Sequence, residues 1–167
     1  MVNNNQLQEA VKFLKENKSI LIEYKDRIKL LFDAKNEILD LVHTHSSPYD
    51  FIVLISSDRM ANQCIKDIPE IAWDMMDYAT TPLTLILDGG QFVSKHLINN
   101  DGSLAIQKLE EGPLFEIVSK SNKPIACITM DKIHPVPSDF KLIINQNTVK
   151  EKIMRIRLNG EIEILAN

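Results

Sequence analysis

The stretch Pro69–Leu87, PEIAWDMMDYATTPLTLIL, decides the fold class. Its apolar residues Ile71, Ala72, Met75, Met76 and Ala79 recur at helical spacing, so an amphipathic helix is expected there. Pro69 suits the start of that helix, because its missing N–H falls where no intrahelical bond would form. Pro82 disfavours helical geometry at Thr81, and the aliphatic and Thr run Leu83–Leu87 reads as a buried strand.

The same alternation extends in both directions. Upstream, Leu7, Ala10, Val11 and Leu14 share one side of a helix over Leu7–Asn17, and Ser19–Glu23 is a short strand. Residues Tyr24–Leu31 mix charge with aliphatics and give no clear period. Asp33 is placed to cap a helix running to about His43, which SSPYD at 46–50 then breaks. Phe51–Ile55 is an uninterrupted apolar strand of the kind covered on both faces, and Ser57 caps a helix over Asp58–Ile65. Downstream, Asp88-Gly89-Gly90 and Asn99-Asn100-Asp101-Gly102 are turns. Ser103–Leu109 is a strand, Pro113 begins a helix to Lys120, and Lys123–Met130 is a further strand. DKIHPVPSD at 131–139 is a Pro-rich loop, and Phe140–Ile144 is a strand. Ile153–Leu158 and Glu161–Leu165 form a closing hairpin with a type I′ signal at Asn159-Gly160. Alternating strands and helices ending in a hairpin define an α/β fold with a twisted mixed sheet, read as a single domain over 1–167.

Composition narrows the function classes. The 167 residues are 44% apolar and 25% charged, ordinary for a globular domain that closes its own core. A net charge of −4 argues against a surface that binds nucleic acid throughout, though not against a local basic face. Cys64 and Cys127 lack CxxC or His spacing, so both read as small buried hydrophobes rather than as metal ligands or a disulfide. No segment approaches the apolar length of a membrane span and no signal peptide is visible, so a soluble, cytoplasmic protein is expected.

Several strings, taken in order, resemble the YrdC-like family. FIVLISS at Phe51–Ser57 is similar to the strand after that family's Lys-Gly-Arg motif, and TTPLTLIL at Thr80–Leu87 to its Pro-Gly-Pro-Leu-Thr strand. DGSLAIQ at Asp101–Gln107 resembles the strand that ends in Arg, NKPIACITMD at Asn122–Asp131 the Ser-Thr-Ser-Ala-Asn segment, and RLNGEIEIL at Arg157–Leu165 the closing hairpin. The resemblance implies a YrdC/RibB-like domain, and for active members the synthesis of threonylcarbamoyl-AMP from ATP, threonine and bicarbonate in tRNA modification.

At the motif positions this chain departs from that pattern. EYKDRIKLLFDAK at 23–35 replaces the glycine-bearing segment after the first strand, and a loop without glycine approaches a phosphate less closely. His43, Thr44 and His45 stand at the Lys-Gly-Arg positions, and Gln107 where a strand ends in Arg. Cys127, Ile128, Thr129, Met130 and Asp131 stand at Ser-Thr-Ser-Ala-Asn, while Thr84 is kept. Losing one preorganised charged contact costs roughly a hundredfold to a thousandfold in rate, and several are lost here. The resemblance therefore implies a catalytically degenerate YrdC-like protein that retains at most RNA, nucleotide or protein binding. The alternative is a threonylcarbamoyl-AMP synthase, a nucleotidyl-transferring enzyme.

The former substrate cleft would be lined by His43, His45, Thr84, Gln107 and Thr129, with His134 and Asp131 near it. His43 and His45 at i, i+2 point to different helix faces and lack a third ligand, so no metal and no cofactor is expected. Arg155 and Arg157 alternate with apolar residues and share a strand face. With Lys152 and Lys141 they offer RNA a basic stripe, or simply a solvated edge. Lys25, Arg27 and Lys29 form a second basic stretch, offset by Glu23 and Asp26. Trp73 sits at the margin of its helix's apolar stripe, as a core-edge residue or part of a protein-binding patch. RNA and a protein partner both stay open, as does a homodimer.

Overall fold

The computed structural model describes residues 2–36, 51–131 and 138–166. In chain order the elements are α1 (Asn4–Lys15), β1 (Ile20–Glu23), β2 (Arg27–Asp33), β3 (Phe51–Ile55), α2 (Asp58–Cys64), α3 (Glu70–Tyr78) and β4 (Leu83–Leu87). Then follow β5 (Leu104–Lys108), α4 (Gly112–Ser121), β6 (Ile125–Asp131), β7 (Phe140–Ile143), β8 (Lys152–Ile156) and β9 (Ile162–Ala166). The nine described strands form one sheet, ordered β7-β1-β2-β6-β3-β5-β4-β8-β9. β1 and β7, β3 and β5, and β4 and β8 run parallel, and the remaining neighbours antiparallel, so the sheet is mixed as expected. Among the described residues, no helix is long and apolar enough to cross a membrane.

The local chemistry explains most element boundaries. Asn3 and Gln6 form a reciprocal capping box at the start of α1. Ser57 accepts a hydrogen bond from the Met60 N–H at the start of α2. Pro69 is the N-cap of α3 rather than its first helical residue, and its carbonyl accepts from the Ala72 N–H at 2.9 Å. The apolar stripe of α3 is narrower than the spacing suggests. Ala72 and Met76, one turn apart, are buried, whereas Ile71 and Ala79 are exposed. Trp73 is half-buried against the core. In β3 and β4 four consecutive residues are buried, which requires cover on both faces.

Three local expectations need correction. Within Tyr24–Leu31, which shows no clear period, Arg27 begins a full strand that runs to Asp33. Asp33 ends that strand instead of capping a helix, and its carboxylate accepts from the Lys35 N–H and from Lys123 Nζ. The helix expected up to His43 lies outside the described residues. The closing hairpin is not type I′. The Gly160 N–H donates to the Arg157 carbonyl, so the turn is 157–160. Only Gly160 has positive φ, at 88°, as in a type I turn followed by a glycine bulge.

Register fixes which side chains share a face, because cross-strand partners point the same way and alternate along each strand. Lys29 opposes Thr129. Cys127, two residues back, opposes Ile52, and Leu54 opposes Gln107. Gln107 in turn opposes Thr84. Lys29, Thr129, Gln107 and Thr84 therefore all project from one side.

The connection from β7 to β8 spans that side. Seven strand spacings of about 4.8 Å make an arc of about 34 Å, whereas the eight residues 144–151 reach roughly 30 Å when fully extended. A connection this short closes only if the sheet curls, and it then runs as a strap across the concave face. Its anchors agree with that path. The Lys25 N–H donates to the Gln146 carbonyl at 3.0 Å, and the Lys152 N–H to the Pro82 carbonyl at 3.0 Å. Asp26 accepts from both the N–H and the hydroxyl of Thr148, at 2.7 and 2.6 Å.

Cys64 and Cys127 are free and buried, as read from the sequence. Burial pushes the Cys64 thiol up to about 12 and the Cys127 thiol up to about 11. Since the thiolate is the reactive form, neither cysteine of the native protein is expected to react with an aromatic disulfide reagent at pH 8 until denaturant is added. Rapid modification of the native fold would contradict this packing.

Candidate functional site

The strap divides the concave face into two hollows of about 470 and 510 Å³. Both are lined by Lys29, Thr148, Val149 and Glu151. The first adds Asp26, Arg27, Ile52, Thr129, Lys150 and Ile153. The second adds Tyr24, Pro82, Gln107, Leu109, the turn Glu111–Leu114, Gln146 and Asn147. The place where they meet is an ion pair, Lys29 Nζ to Glu151 Oε1 at 3.1 Å.

Lys29 is only 7% exposed. Burial by itself would lower its pKa, yet the influence of Cys127 and Glu151 and the hydrogen bond that Lys29 donates to Glu151 outweigh that and hold it above the ordinary lysine value. Cys127 is a neutral thiol at pH 7, its pKa lying near 11, so the working counter-charge is the Glu151 carboxylate. Burial also raises Tyr24, against the lowering effect of Lys29.

The expected site residues divide into four groups. Thr129 lines the first hollow and Gln107 the second. Thr84, fully buried beside Gln107, lines neither, and its hydroxyl has no hydrogen-bond partner among the described residues. His43, Thr44, His45 and His134 lie outside the described residues, as does the side chain of Asp131. Arg155 and Arg157 stand apart from the cleft. Arg155 Nη1 is 3.2 Å from Asp101, and Arg157 Nη1 is 2.8 Å from Asp88 and 3.5 Å from Asp101. Their charges are compensated in place. Lys141 does not join them, since it lies on β7 at the far edge of the sheet and pairs with Glu23.

Sequence reasoning missed the centre of the site, Lys29 and Glu151. One signal was present. Lys29 stands in IKLLF, a lysine among aliphatics in a strand whose neighbours are buried, and such a lysine needs a partner.

No protein-family profile matches the chain, and neither does any curated protein sequence. Solved structures do. P. abyssi Sua5, in a complex with L-threonine, superposes with a TM-score of 0.76 at 19% identity, over 99% of this chain and 54% of that one. E. coli YciO gives 0.72 at 10% identity over 100% and 93% of the two chains. Full-length HypF in its phosphate- and nucleotide-bound form gives 0.73 at 13% identity, over 95% and 28%. This chain has the YrdC-like fold. It spans about half the length of the Sua5 chain it matches, and identities this low speak for the fold alone.

Charge in the YrdC-like cleft is sparse. In the second hollow Lys29 faces Glu111 and Glu151. In the first, Arg27, Lys29 and Lys150 face Asp26 and Glu151. With one cation in excess in the first hollow and one carboxylate in excess in the second, the cleft suits a single anionic group far better than a triphosphate, whose several charges need several fixed cations.

The raised pKa of Lys29 has a consequence for stability. A pKa raised on folding adds stability that is complete below the ordinary value, 10.5 here, and is lost as pH climbs through the folded value. Tyr24 and Cys127, raised from 10.0 and 9.0, act in the same direction. The denaturant midpoint is therefore expected to fall steadily above pH 9, with a shallower fall above pH 10 in Lys29→Met. A midpoint that rises or stays level through this range would contradict the assignment.

Proposed function

We propose that this protein is a catalytically degenerate YrdC-like domain that binds a nucleotide, through one phosphate, in the cleft under the strap. The observation that carries this reading is that the one deeply buried cation of the described cleft is already neutralised by Glu151. Little positive charge is left to grip the triphosphate of ATP or to stabilise a departing pyrophosphate. Gln107 and Thr129 keep hydrogen-bonding capacity on either side of the strap, which suits recognition rather than charge stabilisation. Two structures of this fold, one bound to L-threonine and one to phosphate and a nucleotide, support a small ligand over a macromolecule. RNA binding finds less support, because Arg155 and Arg157 already bridge Asp88 and Asp101. Two free, buried thiols suit a reducing compartment, and we place the protein in the cytoplasm.

The competing reading is threonylcarbamoyl-AMP synthesis from ATP, threonine and bicarbonate, for tRNA modification. Pyrophosphate release with all three substrates separates the two. No release above the protein-free background is expected, while calorimetry detects AMP binding that weakens roughly tenfold or more in Lys29→Met, the scale of a lost charged hydrogen bond. Release at the rate of an active YrdC-type enzyme would overturn the proposal and restore the synthase.

A further inference from the structure

Glu151 lies where an anionic ligand must go. Its carboxylate meets Lys29 at the junction of both hollows, so an anion that takes up this contact with the buried ammonium takes it from Glu151. The exchange breaks nothing else. Lys29 and Glu151 are each other's only side-chain hydrogen-bond partners among the described residues, whereas the strap backbone is held independently at Gln146, Thr148 and Lys152. The side chain of Glu151 is 20% exposed against 9% for that of Lys29. The carboxylate is thus the partner that can turn to water while the ammonium stays.

We infer that Glu151 is a built-in competitor for Lys29, so that ligands enter by exchanging their own anionic group for the Glu151 carboxylate. This rests on the proposed nucleotide binding and adds its selection rule. The competent state is the one with Glu151 swung out, and every anion's apparent affinity falls by the fraction of time that state is occupied. All anions share that factor. Simple carboxylates, chemically equal to Glu151 but not tethered beside Lys29, are pushed out of the usable range. A phosphate monoester, with nearly two charges and three acceptor oxygens, still binds. A ligand without an anionic group leaves Glu151 in place and escapes the factor.

Calorimetry on the full chain with AMP, inorganic phosphate, acetate and adenosine, before and after Glu151→Gln, tests this. Removing the competing charge is expected to tighten AMP and phosphate by one common factor of about ten, the scale of a charge-assisted hydrogen bond, to bring acetate into the measurable range, and to leave adenosine unchanged. Glu151→Asp, which keeps the charge but shortens the reach, should move the same ligands the same way by less, and guards against a Gln variant that folds poorly. Phosphate should also raise the melting temperature of Glu151→Gln more than that of the parent. If AMP and phosphate bind the parent and neither variant binds them more tightly, the competitor role is wrong while the nucleotide reading stands. If they bind none of the three proteins, the nucleotide reading itself has failed.

Discussion

The contact between Lys29 and Glu151 joins two parts of the chain 122 residues apart, a strand in one half of the sheet and a strap that leaves β7, two strands away, and crosses to β8 in the other half. An ammonium taken out of water is strongly unfavourable unless a counter-charge comes with it. Placing Lys29 on the concave face of β2 therefore obliges the 144–151 connection to deliver a carboxylate there. The connection reaches it only because the sheet curls far enough for eight residues to bridge its edges. Sheet curvature, strap path and cleft charge are one constraint seen at three levels.

The fold places few demands on the residues of the cleft. The sheet aligns with Sua5 at a TM-score of 0.76 although 19% of residues are identical, because a mixed sheet needs aliphatic strands of the right length and order, not particular side chains. Leu83–Leu87 and Phe51–Ile55 satisfy that demand. The polar positions on the concave face are under no such demand from packing. There the chain carries Gln107 and Thr129, with one lysine that supplies its own anion. A fold tolerates changes at such positions at little cost, whereas charge stabilisation of a leaving group depends on them.

Much of the fold was legible in the sequence for a physical reason. Apolar periodicity reports burial, and β3, β4, α2 and α4 show it plainly. Arg27–Asp33 was illegible because the face that carries Arg27, Lys29 and Asp33 sets charges among aliphatics, and local pattern does not reveal that Lys29 is buried by a strap over a hundred residues away. The hairpin tip was misread because Asn159-Gly160 favours a type I′ turn, while the observed turn centres on Leu158 and Asn159 with Gly160 as the bulge. Gln107 and Thr129, which line the two hollows, were named through the family resemblance, at the position of a strand-ending Arg and within the Ser-Thr-Ser-Ala-Asn segment. Arg155 and Arg157 were assigned a face correctly, but their partners Asp88 and Asp101 come from turns that periodicity does not position.

The most direct test of the charge-compensated cleft is a crystal structure grown with AMP. The phosphate is expected within hydrogen-bonding distance of Lys29 Nζ, with the Glu151 carboxylate turned out toward solvent and the strap backbone unmoved. A nucleotide held elsewhere with the Lys29–Glu151 contact intact would contradict the account.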